Sequence, residues 1–325
     1  MPAHANCVTW KEGTPITKIG LGCWQFAGGV GGAGSYWPAL TEDETNAIVS
    51  AGLAGGINWF DTAESYGRGT SELALARALR HAGVENGQVL IATKWLPWGR
   101  LARSIADTID ERSRCLSPFE IDLHQIHTPL GTFASEAAKM RAMAELVERG
   151  KIRFVGVSNY SAARTRTCSD LLQHLGLRLA ANQVKYSLLD RRIESNGVLE
   201  TARAVGATII AYSPLHQGLL SGKFHDDPSL IRSRPGPRRF GSGFRRRGLE
   251  RSRPVIEALR QVAADHGATP SQVALHWLVS FHGDAVVAIP GATKTRHAED
   301  NVGALALELT AAELARLDEV SRPFL

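Results

Sequence analysis

Leu123-His-Gln-Ile-His127, Ser135-Glu-Ala-Ala-Lys-Met-Arg-Ala-Met-Ala-Glu-Leu-Val-Glu-Arg-Gly150 and Phe154-Val-Gly-Val-Ser158 follow one another along the chain. Together they read as strand, helix, strand. Ser135 offers an oxygen to the unpaired N–H groups of a helix start, and Gly150 supplies the left-handed residue that ends a helix before a new strand. A strand joined through a helix to a second strand makes a parallel pair, because parallel strands need a crossover connection.

The same beat extends in both directions. Strands are predicted at Ile19–Gly22, Asn58–Asp61, Val89–Thr93, Leu123–His127, Phe154–Ser158, Ala181–Gln183, Thr208–Ala211 and Val286–Ile289. Amphipathic helices are predicted at Glu42–Ala54, Ser71–His81, Leu101–Cys115, Glu136–Glu148, Ser161–Leu175, Arg191–Val205 and Val255–His266. Thr41 and Glu44 form a capping-box pattern at the start of the first helix. Val89-Leu-Ile-Ala92 and Ile209-Ile-Ala211 are unbroken apolar runs, as expected of strands buried on both faces. Eight alternations without a linker predict an α/β protein, a (β/α)8 TIM barrel formed as one domain over residues 1–325. A doubly wound sheet is the alternative fold. Two features lie outside the repeat: an N-terminal β-hairpin over Val8–Ile19, turning at Gly13-Thr14-Pro15, and a long loop between strand seven and its helix, about His216 to Pro254.

Composition narrows the functional classes. The 325 residues are 44% hydrophobic, enough for a large core, with no apolar run near the roughly 20 residues of a membrane helix. The N-terminus Met1-Pro-Ala-His-Ala-Asn6 has no signal-peptide pattern. Cys7, Cys23, Cys115 and Cys168 lack zinc spacing and predict thiols in a reducing, cytoplasmic setting. The net charge of +5 gathers between Arg232 and Arg253, where nine arginines face only Glu250. Such a run reads as a solvated loop or a clamp for a phosphate-bearing ligand, not by itself as a nucleic-acid surface. No membrane or nucleic-acid partner is expected, and monomer and homo-oligomer both remain open.

Gly29-Val-Gly-Gly-Ala-Gly34 matches GxGxxG, yet it runs into Ser35-Tyr-Trp-Pro38 instead of opening a helix. A dinucleotide fingerprint has to open one, so this stretch reads as a loop that carries aromatics toward a pocket. In barrels, chemistry sits where the strands end. Asp61, Lys94 and His127 lie at such ends, with Tyr66 five residues past Asp61. Taken singly, each has an ordinary explanation: a helix cap, a solvated lysine, a turn tyrosine. Together, at successive strand ends, they point to a site.

Further motifs make the set specific. They are Gly56-Ile-Asn-Trp-Phe-Asp61-Thr-Ala-Glu-Ser-Tyr66-Gly with Ser71-Glu72, Ile91-Ala-Thr-Lys94, Asp122-Leu-His-Gln-Ile-His127-Thr-Pro129, Gly156-Val-Ser158-Asn159, Asn182-Gln183, Ala211-Tyr-Ser-Pro-Leu215, Gly218-Leu-Leu-Ser-Gly-Lys223 and Ile289-Pro-Gly291 through Asp300-Asn301. In order and spacing they resemble the aldo-keto reductase superfamily, closest in pattern to its bacterial and potassium-channel β-subunit-like branches. The resemblance implies an NADP(H)-dependent oxidoreductase that reduces an aldehyde or ketone to an alcohol, a small-molecule carbonyl being its partner. It implies Tyr66 as general acid, Lys94 lowering the phenol's pKa, Asp61 fixing Lys94 and His127 orienting the carbonyl. His124, inside the strand, reads as structural. The cofactor is expected at Trp24, Ser158, Asn159, Gln183, Tyr212, Ser213, Pro214, Leu215, Lys223, Gly291, Thr293, Lys294, His297, Asp300 and Asn301. Arg238-Arg-Phe240 resembles a motif of the same loop in bacterial relatives. Gly291 and His297 depart from residues common in other branches at these positions. The substrate pocket is expected from Trp24, Tyr36, Trp37, Trp95 and Trp98. Two other readings stay open: a non-catalytic NADP-sensing subunit, and a dehydrogenase working mainly in oxidation.

Overall fold

The computed structural model describes residues 7–10, 13–29, 36–234 and 236–325. Strands β1 (Cys7–Thr9) and β2 (Pro15–Thr17) pair antiparallel. Then come β3 (Leu21–Gly22), β4 (Trp59–Asp61), β5 (Leu90–Trp95), β6 (Ile121–Ile126), β7 (Ile152–Ser158), β8 (Leu179–Lys185), β9 (Thr208–Tyr212) and β10 (Val286–Ala288). These eight form one parallel sheet in chain order. The sheet curls until its ends meet: Ile19 bridges Ala288 and Gly22 bridges Gly291, both in parallel. Gly20 N donates to Ala288 O at 2.8 Å and Gly22 N to Pro290 O at 3.1 Å across this seam. A Cβ on Gly22 would stand 2.7 Å from the Ile289 carbonyl oxygen, so the seam needs glycine there.

Helices follow the strands: α1 (Glu42–Ala54), α2 (Thr70–His81), α3 (Arg103–Leu116), α4 (Glu136–Glu148), α5 (Ala162–His174), α6 (Val198–Val205), α7 (Arg246–Asp265), α8 (Pro270–Ser280), α9 (Thr295–Gly303) and α10 (Ala311–Ser321). Thr41, Ser135 and Ser161 cap their helices through side-chain oxygens, and at Thr41 the reciprocal Glu44 bond completes the capping box. All six residues of β5 and of β6 are buried, because helices cover one face and the sheet's own interior covers the other. Among the described residues, no helix is long and apolar enough to cross a membrane.

A second apolar cluster joins Val8, Trp10 and Ile16 of the antiparallel pair to Trp59, Leu90, Phe154 and Ala180, residues at or near the strand starts. The Trp10 indole N–H donates to Thr208 Oγ1 at 3.0 Å, and its ring meets Phe154 edge-on at 5.0 Å. The pair therefore covers the end where the strands begin. The open end is the one where Asp61, Lys94 and His127 emerge.

Several boundaries differ from the sequence reading. The stretch expected as a helix from Arg191 is a short 3-10 turn, Arg192–Glu194, before α6, because the left-handed Gly197 (φ 82°) interrupts it. Helices α8 and α9 flank β10 and α10 follows them, and none of the three is among the helices expected from sequence. The stretch from His216 to Pro254 is not an open loop. It contains 3-10 turns at His216–Ser221, Pro228–Ile231, Gly236–Phe240 and Ser242–Phe244, a helical turn at Lys223–Asp226, and the first part of α7. The sequence places Pro254 at the end of the loop, just before a helix, but it lies inside α7. Burial of Leu249, Ser252, Val255 and Ile256 along one face outweighs its missing donor. The Gly29–Gly34 motif falls outside the described residues from Val30 onward.

Candidate active site

Asp61 ends β4 and Lys94 is the penultimate residue of β5, so neighbouring parallel strands deliver both side chains to one level of the interior. Lys94 is fully buried and uses its ammonium three ways. It donates to Asp61 Oδ1, to the Thr62 carbonyl oxygen at 2.8 Å and to the Tyr66 hydroxyl at 3.4 Å. The other carboxylate oxygen of Asp61 accepts from Gln125 Nε2 at 3.0 Å and from Gln183 Nε2 at 2.7 Å. A buried ion pair holds its place only when such extra hydrogen bonds offset desolvation, and here each partner is bonded on all sides. Burial works to lower the Lys94 pKa, but Asp61 and Tyr66 together hold it above the ordinary lysine value.

The Tyr66 hydroxyl accepts from Lys94, leaving its own proton for an acceptor in the cleft that it lines. Its ring stacks on Trp24 at 5.9 Å and meets His127 edge-on at 5.7 Å. The expectation that Lys94 would pull this phenol below its usual value is corrected here. Burial dominates and raises the phenol above 10, with Lys94 opposing and Asp61 adding to the rise. Burial, helped by Lys94, pushes His127 down to about 3, so its imidazole is neutral near pH 7. Ser65 Oγ lies 3.3 Å from His127 Nδ1. A proton donated by that hydroxyl keeps the ring's own N–H on Nε2. Ser65 and Gln125 are not singled out by sequence, where their place within the same motifs is the hint to them.

Behind these groups, Ser71 Oγ donates to the Cys23 carbonyl oxygen at 2.6 Å, tying α2 to the segment after β3. Glu72 accepts from Thr93 Oγ1 and Arg112 Nη1, each at 2.6 Å. Burial pushes its carboxyl up to about 7 despite Arg112. His124 is fully buried, its Nδ1 has no partner, and desolvation with the Arg112 charge lowers it to about 3. It faces away from the cleft, as a structural residue would. Because its folded pKa lies below the unfolded value of about 6.5, it costs no stability above that pH. Stability is lost as pH falls from about 6.5 toward 3. His124→Phe is therefore expected to gain roughly 2 kcal/mol on the native protein between pH 7.5 and pH 5, at unchanged kcat. Urea unfolding at the two pH values checks this, and a pH-independent difference would contradict it.

Asp61, Ser65, Tyr66, His127 and Gln183 open onto one cleft of about 1130 Å³. Trp24, Tyr36, Trp37 and Trp98 line it as expected. Trp95 does not. Strand side chains alternate, so with Lys94 turned inward Trp95 faces the helices. It is fully buried, donates to Ser104 Oγ at 3.1 Å and lies under the Arg100 guanidinium at 5.3 Å. Ser158 Oγ donates to the Gln183 carbonyl oxygen at 2.9 Å. Asn159, in the left-handed region at φ 64°, donates to Ser158 Oγ at 3.0 Å and accepts from the Tyr212 hydroxyl at 2.9 Å. Ser213, Pro214, Leu215 and Lys223 follow β9 along the cleft, and Gly291, Thr293, Lys294, His297, Asp300 and Asn301 line it after β10.

This second half of the cleft suits an anionic ligand. Burial together with Arg296, Lys223 and Lys294 pushes His297 down to about 4, which locates converging positive charge. Asn301 Nδ2 is buried without a partner. A Cβ on Gly291 would come within 2.1 Å of the Gln25 side-chain amide, so a larger residue would intrude on this wall. Arg234, which the sequence reading did not single out, is buried at the cleft with its guanidinium 3.7 Å from the Phe244 ring centroid. The run's other arginines whose side chains are described are exposed, and Arg239 lies over Phe240 at 4.8 Å.

The sequence profile of the Aldo/keto reductase family matches residues 18–322. An uncharacterised oxidoreductase of Mycobacterium tuberculosis is 37% identical over 311 residues, covering 95% of this chain and 90% of its own length. The structure of a glycerol dehydrogenase from Gluconobacter oxydans superposes with a TM-score of 0.83 at 26% identity, covering 98% and 95% of the two chains. That of an aldo-keto reductase from Klebsiella pneumoniae in complex with NADPH gives 0.74 at 25% identity, covering 98% and 95%. With its profile matched over nearly its whole length, the chain belongs to the aldo/keto reductase family.

Proposed function

We propose that this protein is an NADP(H)-dependent reductase of aldehydes or ketones, formed as a single (β/α)8 barrel with an N-terminal hairpin and a long segment after the seventh barrel strand. One observation carries the reading: the buried Lys94 ammonium, held by Asp61, donates to the Tyr66 hydroxyl and leaves the phenol's proton facing the cleft beside His127.

Bound nicotinamide supplies the hydride. The residues that would hold its carboxamide are Ser158, Asn159 and Gln183, with Tyr212 beneath the ring. Ser213, Pro214, Leu215 and Lys223 would hold the pyrophosphate. Gly291, Thr293, Lys294, His297, Asp300 and Asn301 would hold the adenosine and its 2′-phosphate. The converging charge at His297 and the unpartnered Asn301 amide fit such a ligand. In this reading the carbonyl oxygen accepts hydrogen bonds from the Tyr66 hydroxyl and from His127 Nε2–H. As negative charge grows on that oxygen, Tyr66 gives up its proton, and the resulting phenolate is stabilised at once by Lys94. The phenol, raised by burial, stays protonated near neutral pH, which is the state an acid requires. NADPH consumption over a panel of aldehydes and ketones tests the reading, and NADPH binding with no turnover of any of them would favour a sensor.

The 2′-phosphate assignment carries its own expectation. Lys294→Ala, alone or with Lys223→Ala, should weaken NADPH by roughly 1.5–3 kcal/mol, the value of a charge-assisted hydrogen bond, and affect NADH far less. Fluorescence titration checks this, and equal wild-type affinity for the two cofactors would contradict it.

A further inference from the structure

The cleft is divided by charge. Among the described residues, Asp61 lines its floor, paired with Lys94, while Lys223, Arg234, Lys294 and Asp300 line only the part formed after β9 and β10. The segments after β3 and β5 contribute Trp24, Tyr36, Trp37, Leu96 and Trp98, and no Lys, Arg, Asp or Glu. Besides the Lys94–Asp61 pair behind Tyr66, the Arg100–Glu64 pair near that side is turned in on itself. Arg100 Nη1 donates to Glu64 Oε1 at 2.5 Å, and the same oxygen accepts from Leu96 N at 2.5 Å. A phosphate or carboxylate entering this side would lose water and find only cations already paired, Lys94 with Asp61 and Arg100 with Glu64.

The apolar lining also continues outward. Trp98 is 69% exposed, Leu101 53%, Leu130 65% and Phe133 fully exposed. They stand on two loops fastened to each other. Gly99 N donates to the Gly131 carbonyl oxygen at 2.8 Å, and Thr132 Oγ1 donates to the Arg100 carbonyl oxygen at 2.5 Å. The Trp98 ring lies against Gly131 so closely that a Cβ there would meet it at 2.3 Å. Trp98 belongs both to the cleft and to this rim, and so links the Tyr66 side to the exposed apolar residues of the two loops. Exposed apolar residues gathered at the mouth of a cleft mark binding surfaces.

We propose that the substrate is an uncharged carbonyl compound with an extended aliphatic or aromatic body. Its carbonyl sits at Tyr66 and His127 while its apolar tail crosses Trp98 onto Leu130 and Phe133. The inference rests on the carbonyl-reductase reading for turnover, but the binding it asserts can be measured separately. The experiment is calorimetric titration of straight-chain primary amides, butanamide to decanamide, which offer a carbonyl that the enzyme does not reduce. Alongside it, kcat/KM is measured for the matching aldehydes and for aldehydes ending in a carboxylate. Affinity is expected to rise about two- to fourfold per methylene once the tail reaches the rim. The Leu130→Ser/Phe133→Ser variant should flatten the increment for long chains and leave the shortest members unchanged. The carboxylate-ended aldehydes should be poorer than their neutral counterparts by about a hundredfold or more. Length-independent amide binding, or equal use of the charged aldehydes, overturns the proposal. So does a wild-type dimer in sedimentation that the variant dissociates without changing the length profile, since the rim would then join two copies. Length-dependent amide binding with no reduction of any aldehyde supports the proposal and refutes the reductase reading instead.

Discussion

Tyr66→Phe is expected to lower kcat by roughly 10²–10⁴-fold, the range for a general acid, with NADPH affinity unchanged. Phenylalanine preserves the ring against Trp24 and His127, so packing in the cleft survives. The variant loses one oxygen, and with it the proton donor and one acceptor for Lys94. His127 cannot take over, because burial and Lys94 hold it near 3 and it carries no dispensable proton at neutral pH. Single-turnover kinetics with cofactor titration check this. More than about a tenth of the wild-type rate, with chemistry limiting, would remove Tyr66 from the role.

Lys94→Met should affect activity and folding together. It leaves Asp61 charged, buried and reduced to its two glutamine donors. Breaking a buried pair by removing one partner costs about 3–5 kcal/mol. Activity should fall at least as far as in Tyr66→Phe, because the nascent phenolate would lose its cation. The double change Lys94→Met/Asp61→Asn then separates the effects: stability should return toward wild type while activity stays lost. Denaturant unfolding beside turnover checks this, and recovery of activity in the double variant would show the pair to be a structural strut only.

Much of the fold was legible because its signals are local. The Thr41 and Ser135 caps, the Gly150 stop and the apolar runs at Ile91 and Ile209 belong to single elements, and the elements lie where those signals put them. Asp61, Lys94 and His127 were legible as a set because a parallel sheet brings successive strand ends together. What sequence could not supply was competition between effects. Pro254 reads as a breaker until Leu249 and Ile256 are seen buried beside it. Trp95 reads as a pocket aromatic until the pleat assigns the inward position to Lys94. The Tyr66 shift reverses for a similar reason: the sequence names the neighbouring lysine, but the degree of burial belongs to the folded chain.

The most direct test of hydride delivery followed by protonation at Tyr66 uses NADPH carrying deuterium on the transferred position of the nicotinamide. Purified protein is incubated with this cofactor and a neutral aromatic aldehyde, and the products are analysed by mass spectrometry. The account predicts one deuterium on the carbinol carbon of the alcohol, accumulating with the wild type and nearly absent with Tyr66→Phe over the same time. Deuterium retained in the cofactor while the aldehyde is consumed, or equal label transfer by the two proteins, would contradict it.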